Sequence, residues 1–194
     1  MKHEITAADI LSLEEYARVR DEKRRVIREV KAKRRVAVGP YATFYFENYE
    51  TMWLQVQEML RIEKGGEAQL ADELAAYNPM IPKGNELTAT VMFEIENPER
   101  RQQILSRIGG VEHMMELRCG GEAVKGETEG DLEYSTPGGK ASSVLFIHFR
   151  FAPGQAETFF APGSEIAIAV THPEYAHIAI VSPAVKAELA KDLA

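Results

Sequence analysis

Arg34 and Arg35 precede the apolar run Val36-Ala37-Val38, and Glu47 closes the run Thr43-Phe44-Tyr45-Phe46. Gln55, Gln57, Glu58 and Arg61 follow within one helical stretch. Guanidinium, carboxylate and amide groups set among apolar neighbours must be paired or they cost stability, so this spacing predicts a specific polar network. Such a network either knits strands to a helix or binds a small anion through arginine. Glu58 and Arg61 stand three residues apart on one helix and are placed to pair.

Histidine is the second source of chemistry. His172 and His177 flank a turn that carries Glu174, and His148 lies on a neighbouring strand. Histidine with carboxylate can bind zinc or iron, so His148, His172 and His177 are the residues that would hold a metal or act as acid–base groups, with Glu47 or Glu58 as helper. No HExxH, cysteine pair or helical ExxH supports them, and no cofactor is implied. Phosphate-loop and GxSxG patterns are also absent. The single cysteine, Cys119, cannot form an internal disulfide, which fits a reducing cytoplasm. Arg118 beside it could lower its pKa, but a lone cysteine with no histidine base reads first as a small packed side chain.

The elements that must position these groups follow from periodicity. Thr6-Ala7-Ala8-Asp9 reads as a helix start, and a long helix is expected from about residue 7 to about residue 33, apolar at Ile10, Leu13 and Tyr16 but polar nearly all round in its middle. That pattern suits an arm over 1–35 that projects from an α+β domain over 36–194, or that pairs with a second copy. Val36–Val38 and Ala42–Phe46 read as short strands. The helix at about 49–64 is apolar at Tyr49, Met52, Trp53, Val56, Met59 and Leu60, and again at Leu54 and Ile62, so it is sandwiched between layers or sits in an interface. Strands are expected at Leu87–Ile95, Met114–Cys119, Ser142–Phe151, Ile166–Thr171 and His177–Val181, with helices after Asn97, at Pro153–Phe160 and after Ser182. The glycine-rich, apolar-poor stretch 120–139 reads as a mobile loop or weak hairpin. The order of elements implies an α+β fold, a mostly antiparallel sheet with helices packed on one face and a long N-terminal helix.

Composition sets the outer limits. The chain has 194 residues, is 45% hydrophobic and carries a formal charge of −7. No apolar run approaches the length of a membrane span, and the N-terminus lacks a signal core, so a cytoplasmic protein with no membrane partner is expected. Residues 18–35 hold ten basic and three acidic side chains, a local +7 that leaves −14 on the rest. The acidic remainder repels a polyanion, so nucleic acid is disfavoured and the basic stripe reads as a solvated helix face or a dock for an acidic protein.

Several strings are jointly distinctive: Ala8-Asp9-Ile10, Lys33-Arg34-Arg35, Val38-Gly39-Pro40, Phe46-Glu47-Asn48, Gln57-Glu58-Met59-Leu60-Arg61, Tyr77-Asn78-Pro79, Asn85-Glu86-Leu87 and His172-Pro173-x-Tyr175. Through them nearly the whole chain resembles a bacterial domain-of-unknown-function family, often encoded beside a rubrerythrin and an iron–sulfur oxidoreductase. The resemblance implies a non-catalytic accessory or binding protein of a cytoplasmic redox or peroxide-response system, with those redox proteins as partners. Arg34, Arg35, Glu47, Gln57, Glu58, Arg61, His172 and Tyr175 are the residues expected to form its pocket or network. A metal-dependent enzyme using a histidine–carboxylate site and a structural homo-oligomer are the alternatives.

Overall fold

The computed structural model describes residues 2–130 and 133–193. Eight strands form one antiparallel sheet: β1 (Arg35–Val38), β2 (Ala42–Phe46), β3 (Glu86–Phe93), β4 (Met115–Cys119), β5 (Glu122–Thr128), β6 (Val144–Arg150), β7 (Ile166–His172) and β8 (Tyr175–Ile180). Their order is β1-β2-β3-β6-β5-β4-β7-β8. The fold is α+β, and the sheet rolls nearly into a barrel. Tyr175, at the start of β8, reaches across to the β1–β2 turn. Its hydroxyl donates to Val38 O at 2.7 Å and accepts from the Tyr41 and Ala42 N–H groups at 2.9 and 2.8 Å. Gly39 sits against the same seam with φ +69°, where a Cβ would stand 2.5 Å from the His177 ring, so only glycine lets the strands approach there.

Alternation decides which side chains fill the rolled sheet. Phe44 and Phe46, Leu87, Ala89 and Val91, and Leu145, Ile147 and Phe149 point inward and are buried. Leu105, Phe159, Leu189 and Leu193 join that core from helical segments, the first three from α4 (Pro98–Leu105), α5 (Gln155–Phe160) and α6 (Pro183–Leu189). A second core lies outside the sheet. Ile5, Met52, Val56, Met80 and Ile81 pack there with Trp53, Leu70 and Leu74 and with the outward-facing Phe146 of β6. It is built from the segment before α1 (Leu13–Ala32), from α2 (Tyr49–Glu63), from α3 (Gly66–Tyr77) and from the turn that follows α3, and α1 packs on α2 beside it. The expectation of helices on one face is therefore refined: α1–α3 cover the outer surface, whereas α4–α6 contribute to the inner core, because a rolled sheet has an inside to close.

Two local expectations are corrected. The N-terminal helix starts at Leu13, not near residue 7, because Ser12 and Glu15 form a reciprocal capping box; residues Ala7–Asp9 make only a separate 3₁₀ turn. Nor does this helix project. Tyr16 and Ile27 are buried, Tyr16 meets Trp53 of α2 edge-on, and the segment before the helix is pinned by two hydrogen bonds between Ile5 and the Asn78 amide. The stretch 120–139 is not a mobile loop: it begins as a hairpin, β5 folding back on β4 across Gly120-Gly121, and β5 is an inner strand between β4 and β6. Its inward positions are Val124 and Gly126, and a Cβ on Gly126 would lie 2.8 Å from Ile147 Cγ2. The strand is thin where the barrel is tight, which is why its apolar signal is faint. Residues 131 and 132 of that stretch lie outside the described residues. Among the described residues no helix is long and apolar enough to cross a membrane.

Candidate functional site

The outer face of β2, β3 and β6 carries Thr43 and Tyr45, Thr90 and Met92, and Val144 and Phe146. Strand register sets Tyr45, Thr90 and Phe146 in one row and Thr43, Met92 and Val144 in the next. The helical layer does not seal this face. It leaves a cavity of about 340 Å³ whose floor is Tyr45, Thr90, Met92, Val144 and Phe146 and whose walls are Lys31, Glu47, Met52, Gln55 and Tyr77. That volume falls within the range of small-molecule sites. The Gln55 amide nitrogen lies 3.4 Å from the Tyr77 hydroxyl, placing two polar groups at one wall.

Glu47 is the decisive residue. It is only 3% exposed. Its Oε1 accepts a 2.7 Å hydrogen bond from Thr90 Oγ1, and its Oε2 has no hydrogen-bond partner. A buried carboxylate oxygen without a donor is costly, and such an atom beside a cavity marks a place where a ligand can supply the donor. Glu47 is placed by the end of β2: its N–H donates to Thr88 O at 2.9 Å, and Asn48, the next residue, caps α2 through a reciprocal bond pair with Thr51.

The model of a family described as "Protein of unknown function (DUF3501)" matches residues 4–193. The chain belongs to this family. A crystal structure described as a novel protein of unknown function from Burkholderia pseudomallei K96243 is similar, with a TM-score of 0.89 and 35% identity over 98% of this chain and 99% of its own. No curated protein matches.

In this DUF3501 chain the residues expected to form one network are scattered rather than gathered in one place. Arg34, 1% exposed, donates from Nε to Phe46 O at 3.1 Å and from Nη2 to Glu47 O at 3.0 Å, and it also bonds the Asp192 carboxylate. Burial pushes the Asp192 carboxyl up to about 6, outweighing the opposing pull of Arg34. Glu58 does not pair with Arg61, which is exposed. It accepts two 2.8 Å bonds from Arg20 and a 2.5 Å bond from the Tyr16 hydroxyl, so it joins α2 to α1. Arg20 holds its carboxyl down at about 2, although burial opposes this. Gln57 is fully buried, and neither of its amide atoms has a partner among the described residues. Tyr175 closes the seam. Of the expected pocket set, Glu47 reaches the cavity, and Arg35 lies in the adjoining cleft.

The histidines do not converge. His172 accepts from the Glu174 N–H at Nδ1 and donates from Nε2 to Gly109 O, at 3.1 and 3.2 Å. His177 packs against Tyr175. His148 is buried beneath Glu86, 3.0 Å from its Nδ1, with the Glu129 carboxylate 2.6 Å from Nε2 but out of line for a hydrogen bond. Among the described residues no group of three or more histidine, cysteine or acidic side chains is arranged to hold a metal ion. Cys119 is buried, and burial pushes its thiol up rather than down. Sequence reasoning missed Tyr45, Thr90 and Phe146 as members of one site. Only the helical layer makes the outward aromatic Phe146 into a pocket floor.

Proposed function

We propose that this chain is a non-catalytic binding protein whose ligand occupies the cavity between α1–α3 and the outer face of β2, β3 and β6. The observation that carries the reading is the unpartnered Oε2 of buried Glu47 beside an apolar-floored cavity. The setting we propose is the accessory role in a cytoplasmic redox or peroxide-response system that the family resemblance implies. The exposed cations of α1 would serve as the dock for an acidic rubrerythrin-like or iron–sulfur partner. A homo-oligomer belongs to the same reading, with Ile62, 65% exposed on α2, as a contact.

Native mass spectrometry of protein purified gently from its host, followed by denaturation and analysis of what is released, tests the binding reading. A stoichiometric small molecule is expected in the natural chain and lost in Val144→Trp, which fills the cavity from the outer face without touching the inner core. Equal occupancy in the filled variant, or an empty natural chain that no compound of a metabolite panel stabilises, overturns it.

A further inference from the structure

A second cleft, of about 470 Å³, adjoins the cavity and shares Lys31 and Tyr45 with it. Arg24, Arg28 and Lys31 line it at i, i+4 and i+7 of α1, one stripe of a helix, and Arg35 joins them from β1. Among the described residues none of these four cations lies within salt-bridge distance of a carboxylate, whereas Arg18, Arg20 and Arg25 of the same helix are all paired. Converging unpaired cations make an anion site. Arg35 is the cross-strand partner of Tyr45, so the outer-face row runs Arg35, Tyr45, Thr90, Phe146 across four strands. At strand spacings of ~4.8 Å, the cationic end stands ~10 Å from Thr90, which holds Glu47.

We infer that cleft and cavity form one site for a nucleotide, its phosphates on Arg24, Arg28, Lys31 and Arg35 and its base in the cavity with an N–H donated to Glu47 Oε2. This rests on the binding reading above and names its ligand class. The polarity of the site excludes simpler ligands. A phosphate ion would leave the apolar floor and Glu47 unused, and an apolar molecule would leave four cations unused. A phosphosugar has no flat face for Tyr45, Phe146 and Tyr77. A nucleobase offers that face and a polar N–H edge, and the phosphate-to-base length of a nucleoside mono- or diphosphate matches the ~10 Å span.

The test is calorimetric titration of the full chain with GDP, ADP, UDP, ribose 5-phosphate and inorganic phosphate at two salt concentrations. At least one nucleoside diphosphate is expected to bind about ten-fold or more tightly than ribose 5-phosphate, with affinity falling as salt rises. Arg28→Ala and Arg35→Ala should each weaken that nucleotide about ten-fold, and Glu47→Gln should erase the preference for it over ribose 5-phosphate while the far-ultraviolet circular dichroism stays unchanged. Nucleotides that bind no better than ribose 5-phosphate, or a preference untouched by Glu47→Gln, overturn the inference. A phosphate-free molecule recovered from the natural chain and lost in Val144→Trp would overturn it too, yet leave the binding reading standing. An empty natural chain that neither a nucleotide nor any other compound of the metabolite panel stabilises would sink that reading first.

Discussion

Arg34 and Glu47 are joined through a single backbone carbonyl, yet one is a lock closed in by protein and the other opens onto a cavity. Arg34 is met by two carbonyls and the Asp192 carboxylate, drawn from the end of β2 and the C-terminal turn. Glu47 is met by one hydroxyl and then by a cavity. Both are buried. The difference is what lies on the far side of each: protein that folds back on the guanidinium, whose Nη1 makes no hydrogen bond but stands 3.7 Å from the Glu188 carboxylate, or space left open between the helical layer and the sheet. Burial of a charged group therefore does not itself mark function; an incomplete set of partners beside a cavity does.

The sharpest way to break this comparison is to remove the lock. Arg34→Ala leaves Asp192 buried and unpaired and strips bonds from the Phe46 and Glu47 carbonyls, a loss expected at about 3–5 kcal/mol by urea denaturation. A loss below about 1 kcal/mol would mean that Arg34 is no lock at all. Tyr175→Phe comes next. It orphans the Tyr41 and Ala42 N–H groups at the barrel seam and should cost about 2 kcal/mol. An unchanged midpoint would show that water completes the seam as well as the phenol does.

Acid limits separate the lock from a half-buried carboxylate, Glu58. The Asp192 carboxyl is pushed up from 3.8 to about 6 by burial, so between those values the native chain keeps a proton the unfolded chain has lost. Its contribution is therefore fully present below the lower value and is lost as pH rises through the upper one. Glu58, held at about 2 against an ordinary 4.5 by Arg20, runs the other way: its contribution is present above 4.5 and is lost as pH falls towards 2. Urea midpoints across pH 2–7 should lose the first slope in Asp192→Asn and the second in Glu58→Gln. If the two variants alter the same limb of the profile, the assignment of opposite signs is wrong.

The sequence made the strands legible, and with them the α+β class, because a period of two survives any tertiary arrangement. It also singled out Arg34 and Glu47 as polar groups in apolar company. It could not say which was which. The partner of Arg34 lies 158 residues downstream and that of Glu47 lies 43, distances over which no local pattern carries information. β5 was hidden for a different reason: its inward positions are a valine and a glycine fitted to a tight interior, and its other residues face solvent. The helix start at Leu13 was legible in principle, since Ser12-x-x-Glu15 is a capping box, but Thr6-x-x-Asp9 has the same form and comes first.

The smallest expected change in stability sharpens the comparison most. Glu47→Gln keeps the shape of the side chain and an oxygen for the Thr90 hydroxyl, and it replaces an unpartnered charged oxygen by a neutral amide at the cavity wall. Stability should move by less than about 0.5 kcal/mol, and any shift should be upward, because no native partner of Oε2 is lost. If the variant instead loses stability on the scale of Arg34→Ala, the carboxylate is a structural member like its neighbour and the cavity is incidental. If it stays as stable as the natural chain yet no longer takes up the ligand, the two residues divide cleanly. Arg34 then stabilises the fold through the carbonyls and the carboxylate around it, and Glu47 is kept for a bond made in the cavity.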